Sequence, residues 1–324
     1  MKKFVSVLLA GVLTAGLLAG CQKSDVKTIG VIQFATHPSL DNCYNGFVEG
    51  LKQEGFEDGK NIRLEFQNAQ GEPTNADLAA KNMVTKKVDM ILGIATPAAV
   101  SAYSAAKDTD IPVVFNAVSD PVSAQLVQSI EAPGNNCTGT SDVLPIEAML
   151  KMIKAFLPDA EKVGILYTTS EQNSISQLAA YTEAARAYDL EVVPVGVTNA
   201  SEVAAAAQTM VSKGVDCLQN FTDNNVVDNL STVLNATNEA GIPVFGSEVE
   251  QVKNGCAACE GIDYYELGIK TGKLTAEILK GGKASETPVV QVSDSTPAYN
   301  PEVMEALGIT LPADYADAEA VSAE

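Results

Sequence analysis

The residues best suited to chemistry in this 324-residue chain sit in short polar runs, each directly after an apolar stretch. In the first half they are Ala35-Thr36-His37-Pro38-Ser39, Ala95-Thr96-Pro97 and Asn116-Ala117-Val118-Ser119-Asp120-Pro121. The second half offers residues 168–174, Thr222-Asp223-Asn224-Asn225 and Gly246-Ser247-Glu248. Small hydroxyls, carboxamides and acids of this kind suit the binding of a polar solute. Where such a run opens a helix, its free N–H groups and the helix dipole favour an anionic group such as a carboxylate. Capping alone explains any single case: Thr96 before Pro97, Asp120 before Pro121, and Thr222 or Asp223 ahead of a helix are ordinary helix starts. Recurrence at successive positions singles the set out.

Catalysis lacks its usual constellations. His37 is the only histidine, and no acid identifies itself as its partner. There is no GxSxG elbow, no Walker lysine motif, no HExxH and no GxGxxG after the first strand, so an enzyme is not expected and neither is a cofactor. Cys256 and Cys259 have metal-pair spacing, but no second such pair accompanies them and structural zinc wants four ligands, so no metal is expected. Cys43, Cys137, Cys217, Cys256 and Cys259 are an odd set that reads as small buried residues, with a local disulfide as the alternative.

Lys2 and Lys3, the apolar run 4–18 and the small residues before Cys21 make an export signal too short for a membrane span. Leu18-Ala19-Gly20-Cys21 is similar to a bacterial lipobox, which implies a lipid on Cys21 and an extracytoplasmic body anchored to the cell membrane. With 21 basic residues against 41 acidic, a net charge of −20 and a pI near 4.4, nucleic acid is not a partner.

The elements that must position the polar runs alternate throughout. Strands are expected over 28–34, 61–66, 90–94 and 112–115, with helices over 40–54, 75–86 and 98–107 between them. The series repeats with helices over 146–156, 176–188, 201–213 and 226–240 and strands over 163–167, 191–195, 217–221 and 243–245. Near-continuous apolar strands between amphipathic helices specify an α/β fold of parallel sheets covered on both faces. About 300 residues suffice for two such lobes with separate cores. Segments 136–142, 261–264 and 288–293 are expected to cross between them. Binding sites in these sheets lie beyond the carboxyl ends of the strands, where two lobes can face one cleft.

Ile29-Gly30-Val31-Ile32-Gln33, His37-Pro38-Ser39-Leu40-Asp41, Gly46-Phe47-Val48-Glu49-Gly50-Leu51, Glu65-Phe66-Gln67-Asn68-Ala69-Gln70-Gly71, Ile94-Ala95-Thr96-Pro97-Ala98-Ala99, Asp120-Pro121-Val122-Ser123-Ala124, Gly139-Thr140-Ser141-Asp142, Thr222-Asp223-Asn224 and Gly261-Ile262-Asp263-Tyr264-Tyr265 resemble the ABC-transporter substrate-binding lipoproteins of the tryptophan/tyrosine-uptake type. The likeness runs in register from about residue 27 to 288. It implies a type I periplasmic-binding-protein fold, two Rossmann-like lobes joined by crossing strands, that closes on an amino acid and delivers it to an ABC permease. The expected parts are a signal peptide over 1–20 and a lipidated tether over 21–27. An N-terminal lobe follows over 28–138 plus 264–290, and a C-terminal lobe over 139–263 plus 291–324. A monomer is expected.

By the same resemblance Thr96, Pro97 and Asp120 line the first lobe and Ser141 and Asp142 sit near the hinge. Asn173, Ser174, Thr222, Asp223 and Asn224 approach from the second lobe, and His37, Asn116, Glu248 and Asp263 complete the set. Thr96 and nearby N–H groups would take the ligand carboxylate, and Asp142 or Asp223 the ammonium. An aromatic side chain (tryptophan, phenylalanine or tyrosine) would find a flat surface on His37, Tyr44, Phe115 or Phe221, none distinguishable from core packing by sequence. The alternatives are a branched-chain amino acid, nucleoside or sugar as solute, or a sensory ligand-binding protein.

Overall fold

The computed structural model describes residues 26–322, so the signal segment and Cys21 lie outside the described residues. The first half runs β1 (Lys27–Gln33), α1 (Pro38–Gln53), β2 (Ile62–Asn68), α2 (Pro73–Lys86), β3 (Met90–Ile94), α3 (Thr96–Ala106), β4 (Val113–Asn116) and β5 (Cys137–Asp142). Then follow α4 (Ile146–Phe156), β6 (Lys162–Thr168), α5 (Gln172–Ala185), β7 (Glu191–Val197), α6 (Val203–Ser212), β8 (Cys217–Gln219), α7 (Asn224–Asp228) and α8 (Leu230–Glu239). The chain continues through β9 (Val244–Gly246), α9 (Val249–Lys253), β10 (Ala258–Gly261), α10 (Tyr264–Leu279), β11 (Val290–Val292), β12 (Thr296–Tyr299), α11 (Pro301–Leu307) and β13 (Glu319–Ala320).

Two sheets result. One has the order β2-β1-β3-β4-β5-β11 and the other β7-β6-β8-β9-β10-β12-β13, so the central five-strand order is written twice. Every pairing is parallel except β10 with β12. Strands such as Met90–Ile94 are buried along their whole length because helices cover both faces. The first lobe has one core, with Ile32, Met83, Leu92 and Phe115 at its heart. The second splits into clusters around Met210, Leu218 and Leu234, and around Ile153, Ile165 and Phe221.

Two expected crossings are strands. Residues 137–142 and 290–292 pair with each other inside the first sheet, and the chain passes to the second lobe only after each of them. The helix expected over 226–240 is broken at Asn229, whose φ of −112° and ψ of 22° separate α7 from α8. The long α10 was not foreseen as a helix. It returns to the first lobe and packs along α1, with glycines Gly46, Gly50, Gly268 and Gly272 at the contact.

Candidate functional site

Both strand-order reversals point loops at a cavity between the lobes, at the carboxyl ends of the strands. The first lobe contributes His37, Ser39 and Leu40 at the start of α1, Ala95 and Thr96 at the start of α3, Ala117 and Ser119 after β4, and Asp142 from the end of β5. The second contributes Asn173 from α5, Thr222, Asn224 and Val227 around α7, and Glu248 and Gln251 after β9. Tyr264, the first residue of α10, closes the wall.

The start of α3 faces this space. Ala95 has φ 75° and ψ 154°, an uncommon conformation for an alanine that turns the chain sharply from β3 into the helix. The first-turn N–H groups of Thr96 and Ala98 have no intrahelical acceptor, Pro97 has no N–H, and the first internal bond is from Ala99 to Ala95. Thr96 Oγ1 is buried without a partner. So are both ring nitrogens of His37, Asn173 Oδ1 and Glu248 Oε1, all on residues that line the cavity. Unpaired buried polar atoms cost about 1–3 kcal/mol each, and a concentration of them around one space marks a site for a polar guest.

Charges are as one-sided as the whole chain: among the described residues lining the cavity there is no lysine or arginine, while Asp142 and Glu248 are both present. Asp142 accepts from Ser119 Oγ at 3.2 Å and from Tyr264 Oη at 2.7 Å. Burial outweighs those two bonds and pushes its carboxyl up to about 6. Glu248 caps α9, accepting from the Glu250 N–H at 2.9 Å, and burial pushes it up to about 7. Burial likewise holds His37 down at about 4, against the opposing pull of Asn224 and Asp41, so the imidazole is neutral. The lobes are tied across the cavity by Gln177 Nε2, which donates to Ser119 Oγ at 2.9 Å and to Thr222 Oγ1 at 2.8 Å.

Of the sequence-derived candidates, His37, Thr96, Asp142, Asn173, Thr222, Asn224 and Glu248 meet at this cavity. Asp223 does not. Its carboxylate is consumed by Thr168 N and Oγ1, Ser174 Oγ and Val226 N, which also accounts for Ser174. Asn116 lies beneath the floor, donating to Cys43 O and accepting from Thr140 Oγ1, and Ser141 Oγ donates to Ser119 O. Pro97 faces a neighbouring cleft, Asp120 receives the Ser123 N–H, and Asp263 is an exposed cap for α10. Tyr44 packs on Phe66 and Phe221 on Tyr181, while Phe115 is core, which leaves His37 as the one proposed flat surface in the wall. Tyr264 is the aromatic that sequence reasoning overlooked, although it lay inside a quoted motif. Ser39 and Ser119 lay in quoted loops too; Val227 and Gln251, one turn inside helices, carried no signal. All five described cysteines are buried with free thiols.

Residues 28–321 match the family model for ABC transporter substrate binding proteins. A tyrosine-binding protein of Clostridioides difficile (strain R20291) is 40% identical over 94% of this chain and 92% of its own length. An ABC domain in complex with L-Trp from Streptococcus pneumoniae superposes with a TM-score of 0.88 at 34% identity, covering 91% of this chain and 99% of that one. The ligand-free, open structure of a substrate-binding protein with adhesive properties from Clostridium difficile reaches a TM-score of 0.70 at 39% identity, over 92% of this chain and 100% of that one. The more similar sequence is thus the poorer superposition. As a whole, this chain superposes better on the L-Trp complex than on the ligand-free, open structure.

Proposed function

The chain belongs to the ABC transporter substrate-binding protein family, and from that premise we propose that it is an extracytoplasmic receptor that closes on an aromatic amino acid and presents it to an ABC permease. The observation that carries the reading is the concentration of unpartnered polar atoms on residues lining one interlobe cavity. A zwitterion supplies both signs of partner. Its carboxylate suits Thr96 Oγ1 and the α3 N-terminus, its ammonium suits Asp142, and its ring suits the faces of His37 and Tyr264. Closure excludes water and strengthens each of these charge-assisted bonds. The lobes move as two bodies about the three chain passages between the sheets, and ligand shifts that balance. The body acts as a monomer tethered by a lipid on Cys21, which mass spectrometry of membrane-extracted protein reads directly.

Isothermal titration of refolded protein with tryptophan, tyrosine, phenylalanine and leucine tests the proposal. Saturable one-to-one binding with an aromatic preference is expected; silence toward all four would sink it. The same titration has a defined pH dependence. Burial moves Asp142 from an ordinary value of 3.8 up to about 6, so the folded protein holds a proton which a solvated carboxyl loses above about pH 4. Its advantage is full below about pH 4 and gone above about pH 6, and Glu248, raised to about 7, acts in the same direction. A ligand ammonium needs Asp142 ionised. Affinity should therefore rise between pH 5 and pH 7, by at most about tenfold per unit for each proton released. Tighter binding at pH 5 would contradict the role given to Asp142.

A further inference from the structure

Glu171 sits where a carboxyl has little to recommend it. It is 3% exposed, its neighbour Asp223 is also an acid, and no cation touches it among the bonds described. Burial first, and the neighbouring Asp223 carboxyl second, push it above the ordinary carboxyl range. Such a placement breaks the ordinary rules for buried charge, and breaches of this kind collect at functional sites.

What Glu171 does is take N–H groups. Its Oε2 accepts from Asn224 Nδ2 at 2.6 Å, from Asn173 Nδ2 at 3.3 Å and from the Asn224 backbone N–H at 3.3 Å. Asn173 Nδ2 also donates to Thr222 O at 3.4 Å, an atom that can only accept. A primary amide has one donor end and one acceptor end, so fixing both NH2 groups on the far side fixes where the carbonyls go. Asn173 lines the cavity, and its Oδ1 is buried with no partner.

We infer that Glu171 is a positioning residue that sets the polarity of the cavity: by holding the donor ends of Asn173 and Asn224, it makes the second lobe present an acceptor to the ligand. The inference rests on the amino-acid reading above, and it names the ligand group concerned, the ammonium, which then lies between Asp142 on one lobe and Asn173 Oδ1 on the other. Either protonation state of Glu171 serves, because Oε2 accepts in both. Leucine at 171 does not, since it removes the acceptor altogether and leaves the Asn173 amide free to turn its NH2 into the cavity.

The test compares wild-type protein and Glu171→Leu in titrations against tyrosine and 3-(4-hydroxyphenyl)propionate, which lacks the ammonium, and against tryptophan and indole-3-propionate. Wild type should prefer each amino acid strongly over its des-amino partner. In E171L that preference should shrink by about tenfold to a hundredfold, the worth of a charge-assisted bond, with des-amino affinity little changed. An unchanged preference overturns the inference. So does a uniform loss toward all four compounds, which is the mark of a merely structural role. If E171L proves too unstable to titrate, Asn173→Leu removes the cavity-side acceptor itself and must produce the same collapse; retention of the preference there also overturns it. Wild-type protein that binds none of the four overturns the amino-acid reading, and the inference with it, which separates that failure from a failure of E171L alone.

Discussion

Asp142→Asn is expected to lower affinity for aromatic amino acids by about two to three orders of magnitude, because removing one partner of a buried charge pair costs about 3–5 kcal/mol. The side chain is 1% exposed, and Ser119 Oγ and Tyr264 Oη point it into the cavity. Asparagine keeps the shape and an acceptor for one of those hydroxyls, but its NH2 end faces the position assigned to the ligand ammonium. The empty protein should not suffer in proportion. A carboxyl already pushed up to about 6 by burial is a liability before ligand arrives, so D142N should melt at the same temperature as wild type or slightly higher near pH 7. Titration calorimetry and thermal melting on the same preparation check both halves. Affinity within a factor of five of wild type would remove Asp142 from the ammonium site.

Asp142 and Asp223 also mark where the sequence stops being readable. Both are acids in polar loops near strand ends, and composition treats them alike. What separates them is how many nearby donors claim each carboxylate. Thr168, Ser174 and Val226 saturate Asp223 from segments up to 55 residues away, whereas the partners of Asp142 leave lone pairs facing the cavity. Tyr264 reaches Asp142 across 122 residues because α10 returns to the first lobe, a path that no local pattern announces. The alternation of strands and helices was legible because period and apolar runs are local. β5 falls in a segment expected only as a crossing, and its Thr138, Gly139, Thr140 and Ser141 lack apolar character. It is a buried strand all the same, since its hydroxyls find acceptors within the core: Thr138 donates to Thr287 O, and Thr140 meets Thr271 Oγ1 at 2.7 Å.

Replacing Gly46 or Gly268 by alanine should destabilise the protein by about 3 kcal/mol or more, against the usual trend. Alanine favours a helix over glycine by about 1 kcal/mol, so propensity alone predicts a gain. Here α1 and α10 touch backbone to backbone. A Cβ on Gly46 would lie 2.0 Å from Tyr265 O, and one on Gly268 would lie 2.3 Å from Cys43 O. Gly50 and Gly272, one turn further along each helix, meet Ile269 O at 2.3 Å and Phe47 O at 2.4 Å in the same way. None of these neighbours is a side chain that can swing aside, so the helices must separate. The loss should appear as a melting temperature lower by roughly 10 °C, taking a few degrees per kcal/mol for a domain of this size. Function should follow stability, because these helices start at the cavity: α1 brings Ser39 and Leu40 to one wall and α10 brings Tyr264 to another. Weaker ligand binding should therefore accompany the lower melting point even at temperatures where the variant is fully folded. A higher melting temperature for either variant would mean that helix propensity, and not the close approach of α1 and α10, governs this contact.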